Sequence, residues 1–303
     1  MSTLTVAKKD FKSARRSRML WGGAVSLGLI AALLAYVSGG TTRPPTESVQ
    51  SVFNVLTLVV AVLLPIVALV ASYLAIAGER ESGGIKFLLS LPNTRREVFV
   101  GKLLSRASIV AGGVAFLYVA AVSVALGRHG AFPAMTIFGT FLLTVLYGST
   151  FVSVAVSMSA AAASRSRAIA GALTAYFVLV ILYVFPVIRI SRMVEWVHTT
   201  LLGSDPNPDL YNAVRHTSPY LAYQKATNFV VPAEMVSRPF RDSIRNTAPA
   251  SGPGPRRGFS DATLADPDLP LYLTDEFSLV VLAFWALVPL ALGYAVFKRA
   301  DLE

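Results

Sequence analysis

Residues 52–102 read "VFNVLTLVVAVLLPIVALVASYLAIAGERESGGIKFLLSLPNTRREVFVGK". The first half, Val52–Ala77, is predominantly apolar and carries no charge. At 1.5 Å rise per residue, about 20 such residues cross the hydrocarbon core of a bilayer, so this run is predicted to be a transmembrane helix. The second half gathers Glu79, Arg80, Glu81, Lys86, Arg95, Arg96, Glu97 and Lys102 before the next apolar run begins. It also carries a helical stripe of its own, with Ile85, Leu88 and Leu89 at i, i+3 and i+4.

Working outward, five more runs have the same character: Met19–Val37, Ala107–Leu126, Phe132–Ala163, Ala168–Ile188 and Phe277–Phe297. The whole chain of 303 residues is 54% hydrophobic and 15% charged. Soluble domains carry about 25% charged residues, so this chain lacks the polar surface a soluble protein of its length needs. The predicted fold class is an all-α polytopic membrane protein with six spans. One transmembrane domain covers 1–303. Within it, 1–18 is an amphipathic N-terminal helix, 19–188 holds spans one to five, and 189–276 is an extracytoplasmic segment. Span six is 277–297, and 298–303 is a cytoplasmic tail.

The net charge of +10 is distributed unevenly. With the N-terminus inside, inside segments hold sixteen basic and six acidic residues, and outside segments hold eleven of each. This positive-inside pattern predicts that both termini are cytoplasmic. The basic residues cluster at membrane ends, where they face anionic headgroups, which argues against nucleic acid as a partner. The N-terminus resembles a signal peptide only superficially. Its apolar stretch is long and "AYVSGG" is a poor cleavage site, so an uncleaved anchor is expected. In residues 3–18, Leu4, Ala7, Phe11 and Ala14 share one helical face and Lys8, Lys12, Arg15 and Arg16 another. That is the pattern of an interfacial helix, with a disordered basic tail as the alternative. In the external segment, Met193–Leu202 and Tyr220–Val230 are predicted as short helices against the outer leaflet.

None of the six runs contains Asp, Glu, Lys, Arg or His. Ion-coupled carriers and voltage sensors keep ionisable residues at membrane depth, so energy is expected to enter from outside the bilayer. There is no Cys, no HExxH and no GxxxxGK[ST]. Thiolate and zinc-protease chemistry and an intrinsic ATPase are therefore not expected, nor is a metal site or any other cofactor in this chain. Ser149, Ser153 and Ser157 recur every four residues on span four. Small residues at this spacing let helices approach closely, either in ordinary packing or along a translocation path or dimer seam.

In the charged connection, Ser82-Gly83-Gly84 breaks the helix leaving span two. A short amphipathic helix follows over Ile85–Leu91, and Pro92 stops it. Thr94-Arg95-Arg96-Glu97 then reads as a capping box that opens the helix into span three. The short helix is either an interfacial loop dipping into headgroups or a rigid lever offered to a cytoplasmic partner.

The ordered set Gly78, Glu79, Arg80, Glu81, Gly83, Lys86, Leu88, Leu89, Ser90, Leu91, Pro92, Arg95, Arg96 and Lys102 resembles the first cytoplasmic loop of type-2 ABC transporter permeases. The motif covers about 25 residues, and the six-span layout agrees over the rest of the chain. The resemblance implies the membrane subunit of an ATP-driven exporter. It pairs with a second permease subunit, as homodimer or heterodimer, and docks on separate ABC ATPase subunits that bind ATP and magnesium. It assigns ATPase coupling to Glu79, Arg80, Glu81, Gly83, Gly84, Ile85, Lys86, Leu88, Leu89, Leu91, Pro92, Arg95 and Arg96. Glu79, Arg80 and Glu81 would make charged contacts at that joint or brace the coupling helix against the N-terminal one, a self-satisfied surface network being the plainer alternative. A non-transporting membrane scaffold and an ATP-independent carrier or channel are the rival functions. Apolar span faces without buried charge favour an amphiphilic cargo over a metal.

Overall fold

The computed structural model describes residues 3–14, 17–38, 43–83, 94–185, 190–231 and 271–299. Among the described residues the regular structure is entirely helical, and six helices have the length and composition to cross a membrane. The membrane helices are α2 (Arg18–Val37), α3 (Pro45–Ser72), α5 (Arg95–His129), α6 (Ala134–Ala161), α7 (Arg165–Tyr176), whose span continues helically to Val184, and α11 (Asp275–Arg299). Shorter helices are α1 (Thr3–Ala14), α4 (Ala77–Glu81), α8 (Ile190–Trp196), α9 (Pro208–His216) and α10 (Pro219–Ala226). The chain is a multi-pass membrane protein. Its α1, α4 and the last turn of α11 lie together at one end of the bundle, called here the terminal end, and α8–α10 lie at the far end.

Helices α3 and α6 form the centre. Val52, Phe53, Leu56, Val60 and Leu64 of α3 share one buried cluster with Tyr147, Phe151, Val152 and Ala155 of α6. Helices α2 and α11 are peripheral and keep apolar faces outward, including Leu29, Leu33, Val280, Phe284 and Leu287. Such faces suit lipid, since a soluble monomer rarely exposes contiguous apolar surface of this size.

Helix α5 begins earlier than its apolar run, because the capping box forms. The Thr94 hydroxyl accepts from the Glu97 amide at 3.2 Å, and Glu97 Oε2 accepts from the Thr94 amide at 2.8 Å. Nucleated there, 35 residues of helix are about 50 Å long, well beyond the roughly 30 Å hydrocarbon core. The first turns of α5 therefore extend past the hydrocarbon core, packed against α1 and α11, and carry Lys102 and Arg106 at the terminal end.

Pro65 sits inside α3 and lacks the N–H that would bond the Ala61 carbonyl. Tyr147 of α6 replaces it, donating its hydroxyl to the Ala61 oxygen at 2.7 Å. In a bilayer no water is at hand to do this. Tyr147→Phe keeps the ring, which stacks on Tyr223 at 4.3 Å, and removes only the donor. It is expected to lower stability by about 1–2 kcal/mol, read as a lower melting temperature in nanodiscs. An unchanged melting temperature would mean that the carbonyl finds another partner.

Helix α7 passes into a π-helical turn over Phe177–Ile181. Ser218, the N-cap of α10, donates to the Leu179 carbonyl at 3.1 Å and accepts from the Tyr220 amide. This turn docks the far-end segment. Helix α10 does not lie on the membrane surface, as the sequence suggests for Tyr220–Val230. It packs among α3, α6 and α11, with Leu221, Ala222, Tyr223, Lys225 and Ala226 buried. The polar tips of this short helix find partners inside. The Tyr223 hydroxyl meets Thr144 at 2.7 Å, and Lys225 donates to the carbonyls of Tyr272 and Thr274 at 3.1 and 2.8 Å. Burial lowers the Lys225 ammonium to about 8, against the opposing pull of Asp275 and Glu276. The Met193–Leu202 expectation corresponds to α8 with its π-helical extension Val197–Leu201, and this element has no buried residue.

Candidate functional site

The chain leaving α3 does not run straight into the charged connection. It turns over Tyr73–Ile76 and restarts as α4. A restarted helix has amides without intrahelical acceptors. Ser159 of α6 meets two of them, its Oγ accepting from Ile76 and Ala77 at 3.0 Å each. The break is therefore held open by span four, a residue 83 positions away from Ile76.

The three charged residues of α4 reach three different membrane helices. Glu79 pairs with Lys102 of α5. The Arg80 guanidinium donates to the Ala162 carbonyl, just past the end of α6, at 3.1 Å. Cations favour helix C-termini, where carbonyls lack partners. Glu81 Oε2 accepts the Arg165 backbone N–H at the first turn of α7, at 2.7 Å, a place that favours a carboxylate. Arg80 and Glu81 thus match the polarity of the two helix ends they meet, and Glu79 meets a cation within α5.

Lys102 is the hub. It is only 3% exposed, and its ammonium also contacts Asp10 Oδ1 of α1 at 2.7 Å. Arg106 lies on the other side of Asp10, with Nε 3.3 Å from Oδ2, and donates to the Ala71 carbonyl at the end of α3 at 3.0 Å. Burial works to raise the Asp10 carboxyl, but Lys102 and then Arg106 hold it below its ordinary value. Two carboxylates and two cations therefore alternate through the node. Helix α1 reaches it because α5 offers a glycine at the crossing. A Cβ on Gly101 would lie 2.8 Å from Val6 Cβ and 3.0 Å from the Thr3 carbonyl oxygen.

Arg95 ties the start of α5 to the end of α11, donating to the carbonyls of Phe297 and Lys298 at 3.1 and 2.9 Å. Arg96 is exposed. Gly83 closes α4 with a φ of +73°, a left-handed conformation that L side chains rarely adopt. Gly84, Ile85, Lys86, Leu88, Leu89, Leu91 and Pro92 lie outside the described residues, as does the coupling helix assigned to them. On α6, Ser149 is half-buried and bonds its own helix at Val145, while Ser153 and Ser157 are buried. Ser157 meets α11 at Gly293, where an added Cβ would come within 2.6 Å of its Cα.

Asp10, Lys102, Arg106 and Ser159 were not among the candidate site residues. Asp10 had a readable signal, because it is the only acid in the first eighteen residues and shares a helical face with Val6. Ser159 had none, since its role depends on where α3 breaks.

The profile of the family described as "ABC-2 family transporter protein" matches residues 4–302. Among curated proteins, the chain is 26% identical over 301 residues to the "Probable ABC transporter permease protein NosY" of Stutzerimonas stutzeri, covering 97% of each chain. It is 27% identical over 232 residues to the protein of the same name from Pseudomonas aeruginosa, covering 69% of this chain and 80% of that one.

Proposed function

The chain belongs to the ABC-2 family of transporter proteins and is a membrane permease of an ABC transporter, and from this premise we propose that α4 and its node receive the work of ATP hydrolysis. Two permease subunits pair, and two separate ATPase subunits that bind ATP and magnesium dock at the terminal end. That end is cytoplasmic, in keeping with its excess of basic residues. Residues 84–93 form the coupling element that meets the ATPase, and the transporter works as an exporter by alternating access.

One observation carries this reading. Helix α4 directly precedes 84–93 and is anchored separately to α5, α6 and α7 through Glu79, Arg80 and Glu81. Short polar contacts on a five-residue helix leave little slack. A displacement of 84–93 is passed to three spans at once, and through Lys102 to α1. Interfaces of this kind switch between discrete arrangements and turn small local shifts into rigid-body movements.

The test separates assembly from coupling. Glu81→Gln keeps the size of the side chain and weakens its hold on the first turn of α7. The expected result is an intact permease–ATPase complex, retained basal ATP hydrolysis and a several-fold loss of cargo-stimulated hydrolysis. Unchanged stimulation in Glu81→Gln and in Glu79→Gln would overturn the coupling role of α4. A wild-type chain that co-purifies with no ATPase would favour a scaffold.

A further inference from the structure

Helices α2, α3 and α5 leave an apolar groove between them, toward the terminal end. Leu27, Leu64, Val110 and Val114 are its buried floor, and it holds about 360 Å³ of empty space, its open side included. Helix α2 crosses α5 closely at Gly28, where an added Cβ would lie 2.6 Å from Phe116 Cε1. One turn earlier on α5, Gly113 lines the groove, and a Cβ there would meet nothing within 4 Å. Glycine in a helix interior is destabilising, and at Gly113 no close approach within the chain accounts for it. The groove runs along the spans, from Leu20 to Leu27 on α2 and from Ala71 back to Leu64 on α3. That is a rise of about 10 Å, or about two-thirds of the hydrocarbon depth of one leaflet. Trp21 is exposed beside its start, and exposed Trp at the end of a span marks the membrane–water boundary. At the rim, the Ala71 carbonyl is already bonded by Arg106 at 3.0 Å.

We propose that a phospholipid of the leaflet at the terminal end lodges one acyl chain in this groove and is retained there as a constituent of the fold. The groove is continuous with the lipid-facing surface of the spans. Leu20, Val67 and Ile109 at its edges are half-buried, and Val25 and Val70 beside them are exposed. Its axis is parallel to the acyl chains at the same depth. An empty groove forfeits the dispersion contacts of its lining, and water does not settle in an apolar site that offers it no partner. Hydrocarbon is the filler at hand. The lining carries no charged side chain, so the acyl chain and not the headgroup is recognised. A retained chain joins α2 to α3 and α5 directly beside Arg106, and so supports the end of the bundle on which the node is built. This inference does not depend on how ATP is coupled.

The experiment is native mass spectrometry of the full chain, delipidated in detergent and titrated with dioleoyl phosphatidylcholine. The wild type is expected to retain one phospholipid per chain. Gly113→Leu fills the groove from α5 and Ala24→Leu fills it from α2, and each should lower retention about tenfold. Gly112→Leu makes the same change at the exposed neighbouring position, where a Cβ also meets nothing within 4 Å, and should leave retention unaltered. Lysophosphatidylcholine, with a single acyl chain, should compete, and glycerophosphocholine, the headgroup alone, should not. No retained phospholipid in the wild type, undiminished retention in both filling variants, an equal loss in Gly112→Leu, or competition by glycerophosphocholine would each overturn the proposal. Undiminished retention together with dissociation of permease pairs would place a second copy in the groove instead.

Discussion

Replacing Lys102 with methionine is expected to lower stability by about 3 kcal/mol and to detach α1 from the bundle. Methionine preserves most of the length of the lysine stem and none of its charge. The variant leaves Asp10 with Arg106 alone and Glu79 without its cation. Removing one partner of a buried ion pair costs about 3–5 kcal/mol, because the remaining charge stays desolvated and uncompensated. Glu79 is partly exposed, which places the effect near the lower end of that range. The measurement is thermal unfolding followed by tryptophan fluorescence in nanodiscs. Asp10→Asn/Lys102→Met should recover part of the loss, since the two sites share one interaction and are not additive.

The same variant has a signature in acid. The Asp10 carboxyl is held below its ordinary value in the folded protein. A group lowered in this way contributes stability that is complete above its unfolded value and is lost as pH falls through the folded one. Without Lys102, burial is opposed chiefly by Arg106, so the folded value moves up toward the ordinary one, and the acid-induced loss should be smaller and end at higher pH. A melting temperature that matches the wild type at neutral pH, with the same acid profile, would remove the node from the account of stability.

The second large effect is expected at Gly293, where α11 crosses α6. An added Cβ would lie 2.5 Å from Ser157 Cβ and 2.6 Å from its Cα. One of those atoms is backbone, so rotation of a side chain cannot relieve the overlap. Helices in membranes gain much of their association from close packing at small residues, and separating them removes contacts along the whole crossing. Gly293→Val should therefore cost about 3 kcal/mol, at the upper end of ordinary overpacking. Gly293→Ala should cost less, and Ser157→Gly in that background should restore part of it by removing Cβ and Oγ. A Gly293→Val protein with wild-type melting would mean that α6 and α11 are farther apart than described.

What could be read directly from the chain was local. The apolar runs located six spans, because crossing a bilayer requires an internally hydrogen-bonded segment of sufficient apolar length. Thr94 and Glu97 marked the start of α5, because capping is completed within four residues. Gly83 marked the end of α4, because a positive φ is a property of one residue. The layout and the ordered charged motif pointed to the transporter family, and the family profile spans nearly the whole chain.

The same reading placed α10 at the membrane surface. A short helix with Tyr, Gln and Lys looks interfacial until Thr144 and the carbonyls of Tyr272 and Thr274 are seen to satisfy it inside the bundle. It also treated Glu79, Arg80 and Glu81 as one group, whereas each is bound to a different helix. By itself the sequence determined the number of spans, the cap of α5 and the basic character of one end, since hydrophobicity, capping and charge are local properties. Only the tertiary structure decided that Asp10 meets Lys102 across 92 residues and that Ser159 holds α4 away from α3. Those pairings depend on where helices cross, and the crossings are set by the few places, such as Gly101 and Gly293, where the absence of a Cβ lets two backbones come together.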